Sequence, residues 1–320
     1  MTIEANRMES TDDVLRISEA MIANGSKSFA AAAKLFAPVT RHDAVMLYAW
    51  CRHADDVIDG QELGHAAAGQ NADRAGQLAR LKRLKEQTEA ALNGVATDDP
   101  VFEALRQVVS RNRIPARHPR ELMRGFEMDV EQHVYRTADD TLDYCYHVAG
   151  VVGVMMAMIM GVREEAVLDR ASDLGLAFQL TNIARDIIDD ARAGRVYLPA
   201  EWLEEAGLSD VRADNKDDWP VLHGLALRLL QQAEPYYDSA YAGLSALPFR
   251  SAWAVAAARR VYREIGTVLQ TRGPDAWEQR VSTSTGRKYW LLIVALGDVL
   301  ATRLKNPNDA PPRTVLYKRP

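Results

Sequence analysis

Two segments of the chain place acidic and polar side chains at helical spacing, next to arginines. Each residue of an α-helix turns by about 100°, so side chains three and four positions apart share one face. In the first segment a ~60° sector holds Tyr48, Arg52, Asp55 and Asp59. In the second segment a ~80° sector holds Gly175, Gln179, Asn182, Asp186 and Asp190. We call these sets the first and second acidic stripes.

Apolar residues beside each stripe predict that both helices are largely buried. They are Leu47, Cys51 and Ile58 in the first segment and Leu176, Leu180 and Ile183 in the second. Buried carboxylates need compensating cations, because burying several of them alone is very costly. Magnesium takes oxygen ligands and typically binds one or two carboxylates together with phosphates. Two facing stripes therefore predict a magnesium site for a diphosphate, whose remaining charge Arg52, Arg185 and Arg195 would neutralise.

A solvated helix face is the alternative interpretation of each stripe, because acidic clusters are common on helices. A single DDxxD pattern does not separate the two interpretations. The presence of a second stripe, with Gln179 and Asn182 in register and the sequence GRVYLP after it, favours the metal site.

Helices are the only elements that the sequence predicts to position these residues. Apolar residues recur at three- and four-residue spacing, and no stretch shows the sustained alternation of a strand, so we predict no sheet. The predicted helices are Thr11–Ala23, His42–Asp59, Asp73–Leu92, Pro119–His133, Thr141–Met160, Glu164–Asp190, Val221–Leu244, Ser251–Gln270 and Arg287–Leu304. No break between them resembles an interdomain linker. We expect one all-α domain at 1–304 and, at 305–320, a proline-rich basic tail outside the core.

Composition limits the classes of function. The chain has 320 residues, of which 48% are hydrophobic, and its net charge of −5 argues against a nucleic-acid partner. Cys51 and Cys145 lie in apolar helical patterns, which predicts reduced thiols in a cytoplasmic protein. The first residues lack the apolar core of a secretory signal. The apolar run Val148–Gly161 is too short to span a bilayer, while peripheral attachment at the inner face of the membrane stays open.

Taken together, these motifs resemble the squalene/phytoene synthase family over nearly the whole chain. The matching segments are GSKSF (Gly25–Phe29), YAWCRHADDVID (Tyr48–Asp59), YCYHVAGVVG (Tyr144–Gly153), FQLTNIARDIIDDARAGRVYLP (Phe178–Pro199), VYREI (Val261–Ile265) and Arg280. Within the family the chain looks most like the bacterial phytoene synthases, which condense two geranylgeranyl diphosphates in carotenoid biosynthesis. The resemblance implies an isoprenoid-synthase-type helical bundle with a central active-site cavity.

The resemblance also implies roles for particular residues. The metal ligands would be Asp55, Asp59, Asn182, Asp186 and Asp190. The catalytic residues would be Tyr48, Arg52, Tyr144 and Arg195. The substrate-binding residues would be Lys27, Phe29, Gln179, Tyr197, Tyr262 and Arg280. Aromatic faces attract cations, so the aromatic residues of these sets suit a carbocation intermediate.

The implied reaction needs an isoprenoid diphosphate and Mg²⁺, or Mn²⁺, as partners. No GxGxxG motif follows a strand, so we expect no NADPH, which squalene formation would need for its last step. Three alternatives stay open. The first is a squalene or dehydrosqualene synthase that uses farnesyl diphosphate. The second is a chain-elongating prenyl synthase, although Asn182 and the GRVYLP loop favour the head-to-head class. The third is a non-catalytic helical scaffold, which would be expected to have lost metal-binding aspartates.

Overall fold

The structure is a computed structural model that describes residues 13–22, 32–59, 61–62, 65–66, 74–281, 283–305 and 310–320. Helices dominate this part of the chain, which confirms the predicted all-α class. In chain order they are α1 (13–22), α2 (Pro38–Asp59), α3 (Arg74–Leu92), α4 (Pro100–Asn112), α5 (Arg117–Val130), α6 (Ala138–Cys145), α7 (Val151–Ile159), α8 (Glu165–Arg192), α9 (Ala200–Glu205), α10 (Trp219–Gly243), α11 (Phe249–Arg272) and α12 (Thr285–Leu304). Short 3₁₀ turns cover Lys216–Asp218, Leu244–Ala246 and Gly273–Glu278.

One small strand pair departs from the prediction of no sheet. Strand β1 (Gln61–Glu62) pairs antiparallel with β2 (His65–Ala66), and Gln61 lies opposite Ala66. Each strand has two residues, which is too short for an alternating pattern to show in the sequence.

Helix α4 was not predicted, although its start carries ordinary helix signals. Asp99 is the N-cap residue, and its side chain accepts a hydrogen bond from the Val101 amide at 2.9 Å. Pro100 follows at the first helical position, where the missing N–H costs nothing. The same proline looked like a break in the sequence pattern.

Helices α6 and α7 form one continuous helical segment through a π-helical turn at Tyr146–Gly150. It begins at a capping box in which the Thr137 and Asp140 side chains each accept a backbone N–H. The whole segment Ala138–Ile159 has 22 residues and is long and apolar enough to cross a membrane. However, 67% of its most apolar window is buried inside the protein, as in the core helix of a soluble protein.

The chain divides into two compact units. Unit 1 comprises Met1–Glu131 and Met155–Gly161, and unit 2 comprises Gln132–Val154 and Val162–Pro320. In unit 1, α2 packs against α3 and α4, and α3 also contacts α5. In unit 2, α8 packs against α6, α10 and α11, and α11 also packs against α12. The first acidic stripe thus belongs to unit 1 and the second to unit 2.

Glycines bring α8 close to the helical segment Ala138–Ile159. A Cβ atom at Gly175 would lie 2.3 Å from the carbonyl oxygen of Ala149, and one at Gly153 would lie 2.3 Å from that of Ala171. Because both obstacles are backbone atoms, no side-chain rotation relieves them. Gly175, a member of the second stripe by spacing, therefore serves packing.

Residues 310–320 pack onto α8, so the prediction that the tail lies outside the core is wrong for this part. Arg313 donates two hydrogen bonds to Asp173, at 2.6 and 2.7 Å, and the Asp173 side chain is 1% exposed. Arg319 donates to Asp169 at 2.6 Å. The sequence pattern missed these ion pairs because the partners lie 140 and 150 residues apart along the chain. The proposed domain boundary at 304 stays a prediction.

Candidate active site

The first acidic stripe lies on α2, where Arg52 joins two carboxylates. Its guanidinium lies 3.2 Å from Asp55 and 2.6 Å from Asp56. Burial opposes the charge of Arg52, but these two carboxylates outweigh it and raise the pKa of Arg52. The Asp56 side chain is 9% exposed and that of Asp55 is 47% exposed. Asp56 is therefore the internal partner of Arg52, and Asp55 is the carboxylate accessible to a ligand.

Two further predictions concern α2. Of the predicted apolar positions, Leu47 and Ile58 are confirmed as core, and Cys51 is intermediate in exposure. Asp59 ends the helix, and its side chain is not among those that the structure describes.

Burial, followed by the nearby charge of Asp55, raises the pKa of the Cys51 thiol to about 12, so Cys51 is protonated at neutral pH. Cys51 and Cys145 are both free, as the sequence predicted.

The second acidic stripe lies on α8, where Asp186 contacts two arginines. Arg185 donates from Nε to Asp186 at 2.7 Å and from its Nη2 to the other carboxylate oxygen. Both side chains are about 15% exposed, and burial opposes the charge of Arg185, but Asp186 outweighs it and raises the pKa of Arg185. Arg280 lies 3.4 Å from Asp186 and is 69% exposed. The structure thus brings a predicted phosphate-binding residue to a predicted metal ligand.

The buried part of this stripe contains an acceptor with no partner. Asn182 donates to Gln179 at 3.4 Å, but its own Oδ1 is buried and has no hydrogen-bond partner among the described residues. Buried polar atoms are almost always paired, so an unpaired oxygen on the same helix face as two carboxylates suits a hard cation as its partner. Asp190 lies one turn beyond Asp186 and is partly buried.

The number of side-chain donors bears on the type of metal site. In the part of the chain that the structure describes, no three His, Cys, Asp or Glu side chains are gathered as metal ligands. A closed protein site of the zinc type would need such a group. Magnesium needs fewer protein ligands, since phosphate and water oxygens complete its shell. The donor set of Asn182, Asp186 and Asp190 therefore fits magnesium bound together with a phosphate ligand.

Three tyrosines form a buried aromatic cluster in unit 2. The rings of Tyr144 and Tyr197 stack with centroids 4.7 Å apart, and Tyr135 contacts them at 5.2 and 5.7 Å. The loop that carries Tyr197 is held where Thr141 donates to the Tyr197 carbonyl at 2.9 Å. The sequence predicted Tyr144 and Tyr197 but missed Tyr135, whose neighbourhood has no motif that distinguishes it from a core residue.

Tyr262 on α11 occupies a second aromatic contact. Its ring stacks on Phe178 of α8, with centroids 4.0 Å apart and ring planes 18° apart. Burial raises the pKa of Tyr262, although the positive charge of Arg185 opposes the shift, so its hydroxyl remains a donor at neutral pH. The stacking places Tyr262 next to the second acidic stripe.

The loop after α8 carries the predicted catalytic Arg195. Gly194 adopts a left-handed conformation with φ of 75°, and the Arg195 amide then donates to the Asp190 carbonyl at 2.9 Å. Residues 197–199 are buried, whereas residues 192–194 are exposed. The backbone therefore fixes Arg195 directly after the second stripe.

The positions of three other predicted residues relative to this group stay predictions. Lys27 and Phe29 lie outside the described residues. Tyr48 lies on α2 one turn before Arg52, in unit 1. That the first and second stripes face each other stays a prediction.

A helical fold, aspartate-rich stripes with arginine partners and stacked tyrosines define the class of all-α isoprenoid synthases. The solved structure of a dehydrosqualene synthase in complex with a ligand has this fold, with a TM-score of 0.76 and 27% identity, and the match covers 92% of this chain and 99% of that one. A model of the squalene/phytoene synthase family matches residues 22–287, and the chain belongs to this family.

Curated relatives narrow the comparison within the family. A 15-cis-phytoene synthase from Paracoccus sp. (strain N81106 / MBIC 01143) is 54% identical over 310 residues, which cover 97% of this chain and 99% of the relative. A 15-cis-phytoene synthase from Pantoea ananas is 52% identical over 300 residues, which cover 93% and 96%. The likeness therefore extends over nearly the full length of both proteins.

Proposed function

We propose that this protein condenses two geranylgeranyl diphosphates head to head and forms phytoene by way of prephytoene diphosphate. The observation that carries the proposal is the 54% identity to a 15-cis-phytoene synthase over 97% of the chain. Because these relatives are named 15-cis-phytoene synthases, the proposed product has a 15-cis central double bond. The enzyme is then a prenyltransferase of carotenoid biosynthesis.

The reaction has two stages, and one diphosphate is released in each of them. In the first, one allylic donor loses diphosphate, and the double bond of the second molecule attacks the resulting cation. Loss of a proton then closes a cyclopropane ring. In the second, the remaining diphosphate departs, the carbon skeleton rearranges, and a further proton is lost. No hydride enters, so the product keeps its central double bond.

The second acidic stripe has the donors that a magnesium ion, or manganese, would need. Asn182, Asp186 and Asp190 would hold it, and Asp55 and Asp59 of the first stripe stay predicted metal ligands. When bound, the metal supplies Lewis-acid stabilisation of the departing diphosphate. The unpaired Oδ1 of Asn182 supports this assignment because it leaves an acceptor ready for a cation.

The arginines hold and neutralise the diphosphate. Arg280 is mostly exposed, and its guanidinium is therefore able to leave Asp186 for a phosphate oxygen. On the first stripe, Arg52 exchanges the exposed Asp55 for a phosphate oxygen and keeps Asp56 as its buried partner. Arg195, fixed at the end of α8, binds phosphate from the loop and excludes water from the cation.

The tyrosines stabilise the carbocation. Each aromatic face attracts a cation by ~0.5–2 kcal/mol, with more when the site is dry. Tyr144 and Tyr197 are buried and stacked, so their ring faces are held in place before substrate binds. Tyr135, which supports both rings, keeps this orientation.

The test is incubation of the purified protein with geranylgeranyl diphosphate and MgCl₂, with and without NADPH, followed by product analysis. We expect phytoene in both mixtures and none in excess EDTA. Isopentenyl diphosphate should not be required, which separates the enzyme from a chain-elongating synthase. A C40 product with a saturated central bond that appears only with NADPH would contradict the proposal.

Synthesis of dehydrosqualene is the second candidate, because the solved structure with a TM-score of 0.76 is a dehydrosqualene synthase. Competition between farnesyl and geranylgeranyl diphosphates separates the two functions. We expect the C40 product to dominate. A C30 product at equal substrate concentrations would favour the second candidate. Absence of any product, with no calorimetric binding of magnesium and diphosphate, would identify a non-catalytic scaffold.

A further inference from the structure

Helix α12 is apolar on two opposite faces, and among the described residues only one of these faces is covered. Its inner face consists of Leu291, Ala295, Asp298, Val299 and Thr302, which are buried. At about 100° per residue these positions lie in one ~100° sector. Trp253 of α11 donates to the Leu292 carbonyl at 2.8 Å, and Arg260 of α11 pairs with Asp298. The orientation of α12 is therefore fixed by α11.

The outer face carries an exposed apolar stripe. Its large side chains, with their exposed fractions, are Tyr289 (65%), Trp290 (55%), Ile293 (63%), Leu300 (52%) and Leu304 (88%). They share a ~100° sector opposite the buried one, and the only other residues of that sector are glycines. Of the twelve large hydrophobic side chains exposed in the described part of the chain, these are five. Such a concentration marks an interaction surface, whereas scattered exposed residues would not.

Positive charge borders this outer stripe. Arg303 contacts neutral groups, the Leu247 carbonyl at 3.0 Å and the Phe249 ring, and Lys305 lies 5.1 Å from the centre of the Tyr241 ring. Neither contact cancels the charge. The one acidic residue of α12, Asp298, lies on the buried face in its pair with Arg260. The border is thus basic on a chain whose net charge is −5.

We propose that the outer face of α12 docks onto the surface of an anionic phospholipid bilayer. Apolar side chains on an interfacial helix enter the boundary between headgroups and acyl chains, and basic side chains beside them meet anionic lipids. Tyr and Trp are the residues that favour this boundary, and here they stand next to each other at Tyr289 and Trp290.

A second copy of the chain fits this surface less well. A symmetric dimer pairs the same patch with itself. The border of the interface would then carry the basic groups of both copies and no acidic side chain of α12, and like charges repel. An anionic membrane removes that conflict. The inference does not depend on the proposed function, because it rests on α12 alone.

Flotation of the full-length protein with lipid vesicles tests this surface without any substrate. We expect flotation with vesicles of phosphatidylcholine mixed with phosphatidylglycerol, weaker flotation with phosphatidylcholine alone, and loss at high salt. Ile293→Glu should lower the partition coefficient about tenfold or more. The matched control is Leu78→Glu, an exposed leucine on α3, which should float like the wild type. Circular dichroism checks that both variants fold.

Trp290 gives an independent readout. Its fluorescence should shift to the blue on anionic vesicles, and Trp290→Phe should remove most of that shift. The proposal is overturned if the wild type does not float, or if Ile293→Glu floats equally well. It is also overturned if light scattering shows a dimer that Ile293→Glu dissociates while vesicles have no effect. That last result would make the face an interface between two copies.

Discussion

Helix α8 carries acidic residues at both ends, and the two ends are compensated differently. Near its start, Glu165, Asp169 and Asp173 recur at four-residue spacing, as do Asp186 and Asp190 near its end. Arg313 and Arg319 bind the first set and are 17% and 7% exposed. The partners of Asp186 are its neighbour Arg185 and the mostly exposed Arg280.

The difference separates an acidic pattern that the protein itself compensates from the one that we propose to bind the metal. At the start of α8, the Asp173 side chain is 1% exposed and receives its hydrogen bonds from Arg313 and Ser239, so the protein encloses this carboxylate. At its end, Asn182 keeps a buried oxygen without a partner among the described residues. Spacing is alike in the two sets, and only the identity of the compensating groups separates them.

Rates of variants should show the largest difference between the two ends of α8. Asp186→Ala should reduce kcat/KM by about 10²–10⁴-fold, because the variant loses a charged ligand for the cation that assists diphosphate loss. Asp55→Ala on α2 should behave similarly. Asp169→Ala is the matched control, with less than about a threefold change at a temperature where it is folded. Equal losses at both ends of α8 would remove the proposed distinction.

The free energy of unfolding should depend more on the arginine at the start of α8 than on the exposed arginine at its end. Arg313→Ala should lower the free energy of unfolding by about 3–5 kcal/mol, because it leaves the buried Asp173 carboxylate without its cation. Arg280→Ala should lower it by less than about 1 kcal/mol, since Arg280 is largely exposed. Urea denaturation followed by circular dichroism measures both. If Arg313→Ala costs no more than Arg280→Ala, the contact of residues 310–320 with α8 contributes little to stability.

The loop after α8 permits a comparison within a few residues. Arg195→Ala should lower kcat by about a hundredfold, as loss of one preorganised phosphate donor does, with little change in stability. Arg192, whose pair with Asp189 is about half exposed, is the control, and Arg192→Ala should stay near wild-type activity. Steady-state kinetics and thermal melts measure both variants. An Arg195→Ala protein that unfolds easily but turns over normally would make Arg195 structural.

Ligand stabilisation should give the smallest effect. Magnesium with pyrophosphate, at about ten times the dissociation constant, should raise the free energy of unfolding by ~1.4 kcal/mol. Asp169→Ala should keep this increase and Asp186→Ala should lose it. Calorimetric titration gives the dissociation constant directly. An increase of the same size in Asp186→Ala would place the ligand elsewhere.

The sequence predicted the fold better than it predicted the contacts. Periodicity identified most helices, because packing against a core imposes it locally. It missed α4, where Pro100 resembled a break although proline is common at the first helical position. It also misplaced the segment with Arg313, since proline and basic residues resemble a solvated tail and Asp173 lies 140 residues earlier.

The candidate site shows the same limit. The spacing of the second stripe identified Asp186, the family resemblance implied a role for Arg280, and the structure places the two side chains 3.4 Å apart. Tyr135 was missed because no local pattern distinguishes an aromatic residue of the site from one of the core. The assignment of Asp56 to Arg52 likewise needed the exposure of each carboxylate, which the spacing of DDVID does not contain.

The glycine contacts of α8 restrict how the enzyme moves during turnover. Gly175 lies against the Ala149 carbonyl, and Gly153 lies against the Ala171 carbonyl, so two backbones meet with no side chain between them. Packed interfaces of this kind do not deform continuously, and sliding one helix along the other would force backbone atoms together. Gln179 and Tyr144, which these helices carry, therefore form a rigid frame. Motion that admits substrate and releases product is then left to the loops and to side chains such as Arg280.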